Sequence, residues 1–194
     1  MLPAFSFYYL EYNSIYSLIV SHKIAVNNFN SKKAATKDRR DYCKELALEY
    51  LCYYILGVNH KITLEKNSYG APILSDGAPY YLSISHSASY TMVSISQFRF
   101  FGVDIESYTP SASLIEKMPI NSLDRKKSDF IFRVFWSVCE CLVKITNDSF
   151  KSIFKNCKIN FIRNNFVNIS YSDNQYSGFV TIFKNNCLVI LQRG

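Results

Sequence analysis

Along the chain, hydrophobic and polar positions alternate with two different periods, and each change of period marks an element. Residues 4–10 are rich in aromatic side chains of high β-propensity and predict a first strand. From there to about Asn30 no period dominates, and Asn27-Asn-Phe-Asn-Ser-Lys-Lys33 is polar enough to read as a loop. Helix formers take over from Ala34 to Leu56, where Leu46, Tyr50, Leu51, Tyr54 and Ile55 lie at helical spacing and Gly57 follows as a stop. Short strands are expected at Ile62-Thr-Leu-Glu65 and around Pro72-Ile-Leu74, with turns at Tyr69-Gly-Ala-Pro72 and Asp76-Gly-Ala-Pro79. Tyr81 to Ser85 alternates as a strand ending at His86, Tyr90 to Ser96 alternates again, and a turn at 97–100 leads into Phe101-Gly-Val-Asp-Ile-Glu106.

Pro110 opens a polar connection through Asp124 that includes a short helix around Leu114 to Met118. Ser128 or Asp129 is placed to cap a long helix through Phe135, Trp136, Glu140 and Lys144, with Phe132, Phe135, Val138, Leu142 and Ile145 on its buried side. Runs at 158–162, 166–171, 178–183 and 187–192, separated by Asn-rich turns, predict an antiparallel meander.

At 194 residues the chain fits one domain, or two small subdomains, and is long enough to bury a real core. Its 22 basic and 15 acidic residues give a net charge of +7 with no block of like charge. That balance suits polyanionic ligands without choosing among phosphorylated small molecules, acidic protein surfaces and nucleic acid. The six cysteines include no C-x-x-C pair and there are only 3 histidines, which argues against structural zinc and for reduced thiols. The N-terminus lacks a basic flank and meets Glu11 early, and no apolar run approaches the ~20 residues of a membrane helix. A soluble, cytoplasmic protein is therefore expected.

The chemistry concentrates at Phe101–Glu106. On a strand, Asp104 and Glu106 share one face while Val103 and Ile105 share the other. Two adjacent like charges repel, so they are either solvated acids at a strand end or ligands of a hard divalent cation. Trp136, Glu140 and Lys144 recur every four residues, and a helix puts them in one stripe, bringing a third carboxylate and a cation. The segment with Lys32, Lys33, Lys37, Arg39, Arg40 and Lys44 reads either as a solvated basic helix start or as a phosphate site. His86, alone at a strand end, is read as structural or catalytic.

Taken in order, Gly70-Ala-Pro72, Ser83-Ile-Ser-His-Ser87, Gly102-Val-Asp-Ile-Glu106 and Trp136-Ser-Val-Cys-Glu-Cys-Leu-Val-Lys144 resemble the 4′-phosphopantetheinyl transferases of the surfactin-synthetase-activating type, over about Lys37 to Lys144. The resemblance implies a pseudo-twofold α+β fold of two similar halves, approximately 1–100 and 101–194, with coenzyme A and magnesium (or manganese) in the cleft between them. It implies transfer of 4′-phosphopantetheine from coenzyme A to a serine of an apo acyl, peptidyl or aryl carrier protein, releasing adenosine 3′,5′-bisphosphate. It favours a monomer; with no recognised nucleic-acid motif and no apolar run long enough to cross a membrane, neither nucleic acid nor membrane is expected as a partner. By position, Asp104, Glu106 and Glu140 match the family's metal-binding carboxylates, with Glu140 also the expected base. Ser85 and His86 match the pair at the coenzyme A phosphates, Lys144 matches the lysine at the pyrophosphate, and Arg39 or Arg40 a basic residue for the nucleotide phosphate. Two departures stand out: Ala71 replaces the lysine of Gly-Lys-Pro, and Cys139 replaces the lysine before the helix glutamate, removing positive charge near the site. A catalytically impaired member that only binds coenzyme A or carrier protein is the competing expectation, and a basic nucleic-acid-binding domain, without any recognised motif, a third.

Overall fold

A computed structural model of the 194-residue chain describes residues 7–23, 36–57, 64–66, 72–74, 79–107, 111–117 and 128–194. The chain is mixed α+β and divides into two compact units, Met1–Arg99 and Phe100–Gly194.

In the first unit, β1 (Phe7–Tyr12) and β2 (Ile15–Ser21) form an antiparallel hairpin. Asn13 and Ser14 turn it with φ of 45° and 59°, the two successive left-handed residues whose twist matches that of the flanking strands. This first strand runs on to Tyr12, past its sequence pattern, residues 4–6 lying outside the described residues, and β2 falls in the stretch without a period. The reason is burial: Ile15, Leu18, Ile19 and Val20 are all buried, so β2 is covered on both faces and has no polar face to alternate with. Helix α1 (Thr36–Leu56) follows, then the short hairpin of β3 (Leu64–Lys66) and β4 (Pro72–Leu74), then β5 (Tyr81–His86) and β6 (Tyr90–Ser96). The main sheet has the order β1-β2-β6-β5, all antiparallel. One side of α1, carrying Cys43, Ala47, Leu48, Leu51 and Cys52, packs against Leu18, Val20, Val93 and Ile95 of β2 and β6. Each large aliphatic side chain so buried contributes roughly 1.5–3 kcal/mol. The polar loop expected at 27–33 and the residues Gly70 and Ala71 lie outside the described residues.

In the second unit, β7 (Phe101–Glu106) is followed by the short α2 (Ala112–Ile115), the long α3 (Ser128–Thr146), α4 (Phe150–Asn156) and the strands β8 (Lys158–Arg163), β9 (Phe166–Tyr171), β10 (Asn174–Phe183) and β11 (Asn186–Arg193). The sheet order is β7-β11-β10-β9-β8, so the expected meander is present and its last strand returns beside β7. Its three turns, Asn164-Asn165, Ser172-Asp173 and Lys184-Asn185, all use paired positive φ values, which is why asparagine and aspartate recur there. Helix α4 has no counterpart in the sequence expectation, because one short helix shows too few turns for a period. Ser149 caps it, its Oγ accepting from the Ser152 N–H at 3.3 Å.

Phe132, Phe135, Val138 and Leu142 are fully buried on α3 as their spacing predicts, and Ile145 packs at the margin of the same core. Among the described residues no helix is long and apolar enough to cross a membrane. All six cysteines are buried free thiols.

Candidate functional site

The acidic stretch of the second unit is set by how closely α3 approaches β7. A Cβ on Gly102 would stand 2.6 Å from the Cys141 carbonyl oxygen, closer than real Cβ atoms come. Glycine at this point lets the helix backbone settle onto the strand, and the strand's next residues on the same face are Asp104 and Glu106. Asp104 is buried and Glu106 half-buried, which corrects the picture of two solvated acids at a strand end.

Lys144 Nζ donates to the Val103 carbonyl at 2.6 Å and pairs with Asp104 Oδ1 at 3.4 Å. One turn earlier on the helix, burial pushes the Glu140 carboxyl above its ordinary range. The negative charge of Asp104 pushes it in the same direction, Lys144 opposes, and Glu106 adds a smaller push upward. Asp104, Glu106, Glu140 and Lys144 therefore share one electrostatic neighbourhood, three acids and one cation. Trp136, on the same stripe, stacks on Phe132 at 6.0 Å and meets Phe150 of α4 at 4.6 Å; it braces the helix.

Cys139 is different from its expectation. It lies fully buried in the core beside Cys157, its thiol pushed far up by that neighbour and by burial, so it does not face the acids and removes no cation from their surface. An α-helix advances about 100° per residue, and Cys139 and Glu140 fall on different sides.

In the first unit, the end of the sheet under the start of α1 gathers cations. Arg39 and Arg40 are half-buried; the Nε of each is shielded from solvent and has no hydrogen-bond partner among the described residues. Ser85 is buried and His86 exposed at the end of β5, with His86 opposite Thr91 of β6. Asp41 pairs with Lys44 at 2.8 Å, and that hydrogen bond holds its carboxyl below the usual range, with Lys37 and His86 helping more weakly. His22, which no motif or period singles out, sits buried beside these groups. Burial lowers its pKa, and the charges of Arg40 and Arg39 lower it further against a raising bond to the Ala88 carbonyl. The stretch around it has no period from which to infer its place.

Each unit thus collects its own set: Asp104, Glu106, Glu140 and Lys144 in the second, Arg39, Arg40, Ser85 and His86 in the first. Lys32, Lys33 and Ala71 lie outside the described residues. The chemistry of the acidic set fits a hard divalent cation, since all its donors are carboxylate oxygens whose mutual repulsion already raises the proton affinity of Glu140. The side-chain positions are more open: among the described residues no three His, Cys, Asp or Glu side chains stand together as a ready metal cage. No model of a known protein family matches the chain, and no curated protein matches it.

Proposed function

We propose that this chain transfers the 4′-phosphopantetheine arm of coenzyme A to a serine hydroxyl of an apo carrier protein, as the 4′-phosphopantetheinyl transferases do. The observation that carries the reading is the gathering of Asp104, Glu106, Glu140 and Lys144 where α3 crosses β7. In each unit the strand that precedes the main helix pairs with the unit's last strand, β2 with β6 and β7 with β11, and this shared plan supports the family's two-half fold.

In this reading the serine oxygen forms a bond to the phosphorus that bears the pantetheine, and the bond from that phosphorus to the bridging oxygen breaks. Adenosine 3′,5′-bisphosphate leaves with the electron pair. The serine proton needs an acceptor, and in this reading the Glu140 carboxylate takes it, directly or through a water. Asp104, Glu106 and Glu140 would hold magnesium or manganese, which when bound offsets the charge that develops on the phosphates. Lys144 uses its bonds to Val103 and Asp104 to fix its position and, with three N–H donors, retains capacity for a phosphate oxygen. Arg39 and Arg40, whose Nε–H groups lack partners among the described residues, supply cationic donors for the nucleotide phosphates, with Ser85 and His86 beside them. The net charge of +7 attracts acidic carrier surfaces.

The test is incubation with a panel of apo acyl, peptidyl and aryl carriers, coenzyme A and Mg²⁺, read by mass spectrometry for the phosphopantetheine adduct. Adduct that disappears with excess chelator is the expected result. Coenzyme A binding without adduct on any carrier would replace this reading with that of a non-catalytic binder.

A further inference from the structure

His22 follows directly after β2, yet it belongs structurally to the turn between β5 and β6. Its backbone N–H donates to the Ser89 carbonyl at 2.9 Å, its Nδ1 meets the Ala88 carbonyl at 3.1 Å, and its Nε2 meets Thr91 Oγ1 at 2.9 Å. A carbonyl only accepts, so Nδ1 carries the proton, and in the neutral ring Nε2 accepts from the Thr91 hydroxyl. Both ring nitrogens and the backbone of one residue are thus spent on residues 88–91. The turn closes on itself through Ser87 N–H to the Tyr90 carbonyl at 2.9 Å, with Ser89 N–H reaching Ser87 Oγ at 3.4 Å. Thr91 is almost fully buried, and its partner across the two strands is His86.

We propose that His22 is a positioning residue that clamps the 87–91 turn and thereby fixes Ser85 and His86, the last residues of β5, for contact with the phosphates of coenzyme A; this rests on the transferase reading above. A histidine serves here because one rigid ring satisfies a carbonyl on one edge and a hydroxyl on the other while burying its carbon faces. Burial opposes its protonation, and the charges of Arg40 and Arg39 add to this, favouring the neutral ring that matches both partners.

The experiment compares wild type with His22→Ala, His22→Asn and Thr91→Val by titration of coenzyme A and by steady-state transfer kinetics. Asparagine can still donate to the Ala88 carbonyl, and valine at 91 removes only the hydroxyl. The expected result is a KM and Kd for coenzyme A about tenfold higher in His22→Ala with kcat within about threefold, recovery to within about threefold in His22→Asn, and a rise of about threefold in Thr91→Val. Loss of folding in His22→Ala leaves the decision to His22→Asn and Thr91→Val. Unchanged coenzyme A affinity in folded variants overturns the clamp, as does a fall in kcat without a change in KM. Wild type that fails to bind coenzyme A brings down the transferase reading and the clamp with it; wild type that binds, with variants that bind equally well, brings down the clamp alone.

Discussion

In Met1–Arg99 the strand before the helix is β2 and the strand that returns beside it is β6; in Phe100–Gly194 the same places belong to β7 and β11. Both returning pairs are antiparallel, and α1 and α3 each cover one face of their pair. The chemistry laid on this shared plan differs. On the face turned away from the helix, the first unit aligns Ser17, Ser94 and Ser83 across three strands, with Ser17 and Ser94 hydroxyls 2.7 Å apart. The second unit has Val103, Ile105, Leu188 and Ile190 there, all buried. At the helix end of the plan the first unit places Arg39, Arg40, His22 and His86, and the second places Asp104, Glu106 and Glu140 with Lys144. The frame decides which positions meet, and the residues at the strand ends decide the charge presented. The two sets are therefore opposite in charge, cationic in the first unit and mainly acidic in the second.

The sharpest way to break this contrast is to remove charge from the acidic set without changing its shape. Asp104→Asn and Glu140→Gln should each lower kcat for transfer by at least about 100-fold, the usual range for losing a general base or a charge at the reacting centre, with coenzyme A binding largely kept. Kinetics alongside circular dichroism checks this, and near-normal kcat in either variant would remove the acids from the chemistry.

Next in size is the seat of the helix. Gly102→Ala places a methyl 2.6 Å from a backbone carbonyl that cannot rotate away, so α3 must lift from β7. Overpacking of this kind costs about 1–3 kcal/mol, read as a lower urea midpoint at unchanged slope. Wild-type stability would show that the helix backbone yields freely.

On the cationic side, Arg39→Gln and Arg40→Gln should each weaken coenzyme A binding by about tenfold at low salt, or about 1.4 kcal/mol. The difference should shrink in 0.5 M salt, because partly exposed charges are screened. Titration at two salt concentrations reads both, and a salt-independent loss would assign the arginines a packing role.

The smallest effect is a pH dependence confined to the first unit. His22 has a folded pKa below its unfolded value, so between the two the unfolded chain binds more protons. Its contribution to stability is complete above about pH 6.5 and is lost as pH falls through the lowered folded pKa, by at most about 1.4 kcal/mol per pH unit for one proton. Urea midpoints between pH 7.5 and 5 should fall more steeply for wild type than for His22→Gln, and equal slopes would mean that the ring titrates as freely in the fold as in the open chain.

Much of both units was legible in the sequence wherever an element has one wet and one dry side. Helix α3 showed its core through Phe132, Phe135, Val138 and Leu142, and the meander announced itself through asparagine and aspartate at turns that need positive φ. The spacing Asp104, Glu106 and Glu140, Lys144 also placed each pair on a common face before any fold was known, since strand and helix periods are local properties of the backbone. What failed were segments whose surroundings are supplied from far along the chain. Strand β2 is buried on both sides and shows no alternation, α4 is too short to show a period, and Cys139 points into a core built by β9, β10 and β11. The tertiary structure alone decided that Asp104 is buried against Lys144, that Gly102 is the point where helix and strand touch, and that His22 belongs to a turn more than 60 residues downstream, with 66 separating it from Ala88. Periodicity reports only which face of an element is dry. Which distant residues make it so is fixed by strand pairing and close packing, and neither is written in any local stretch of sequence.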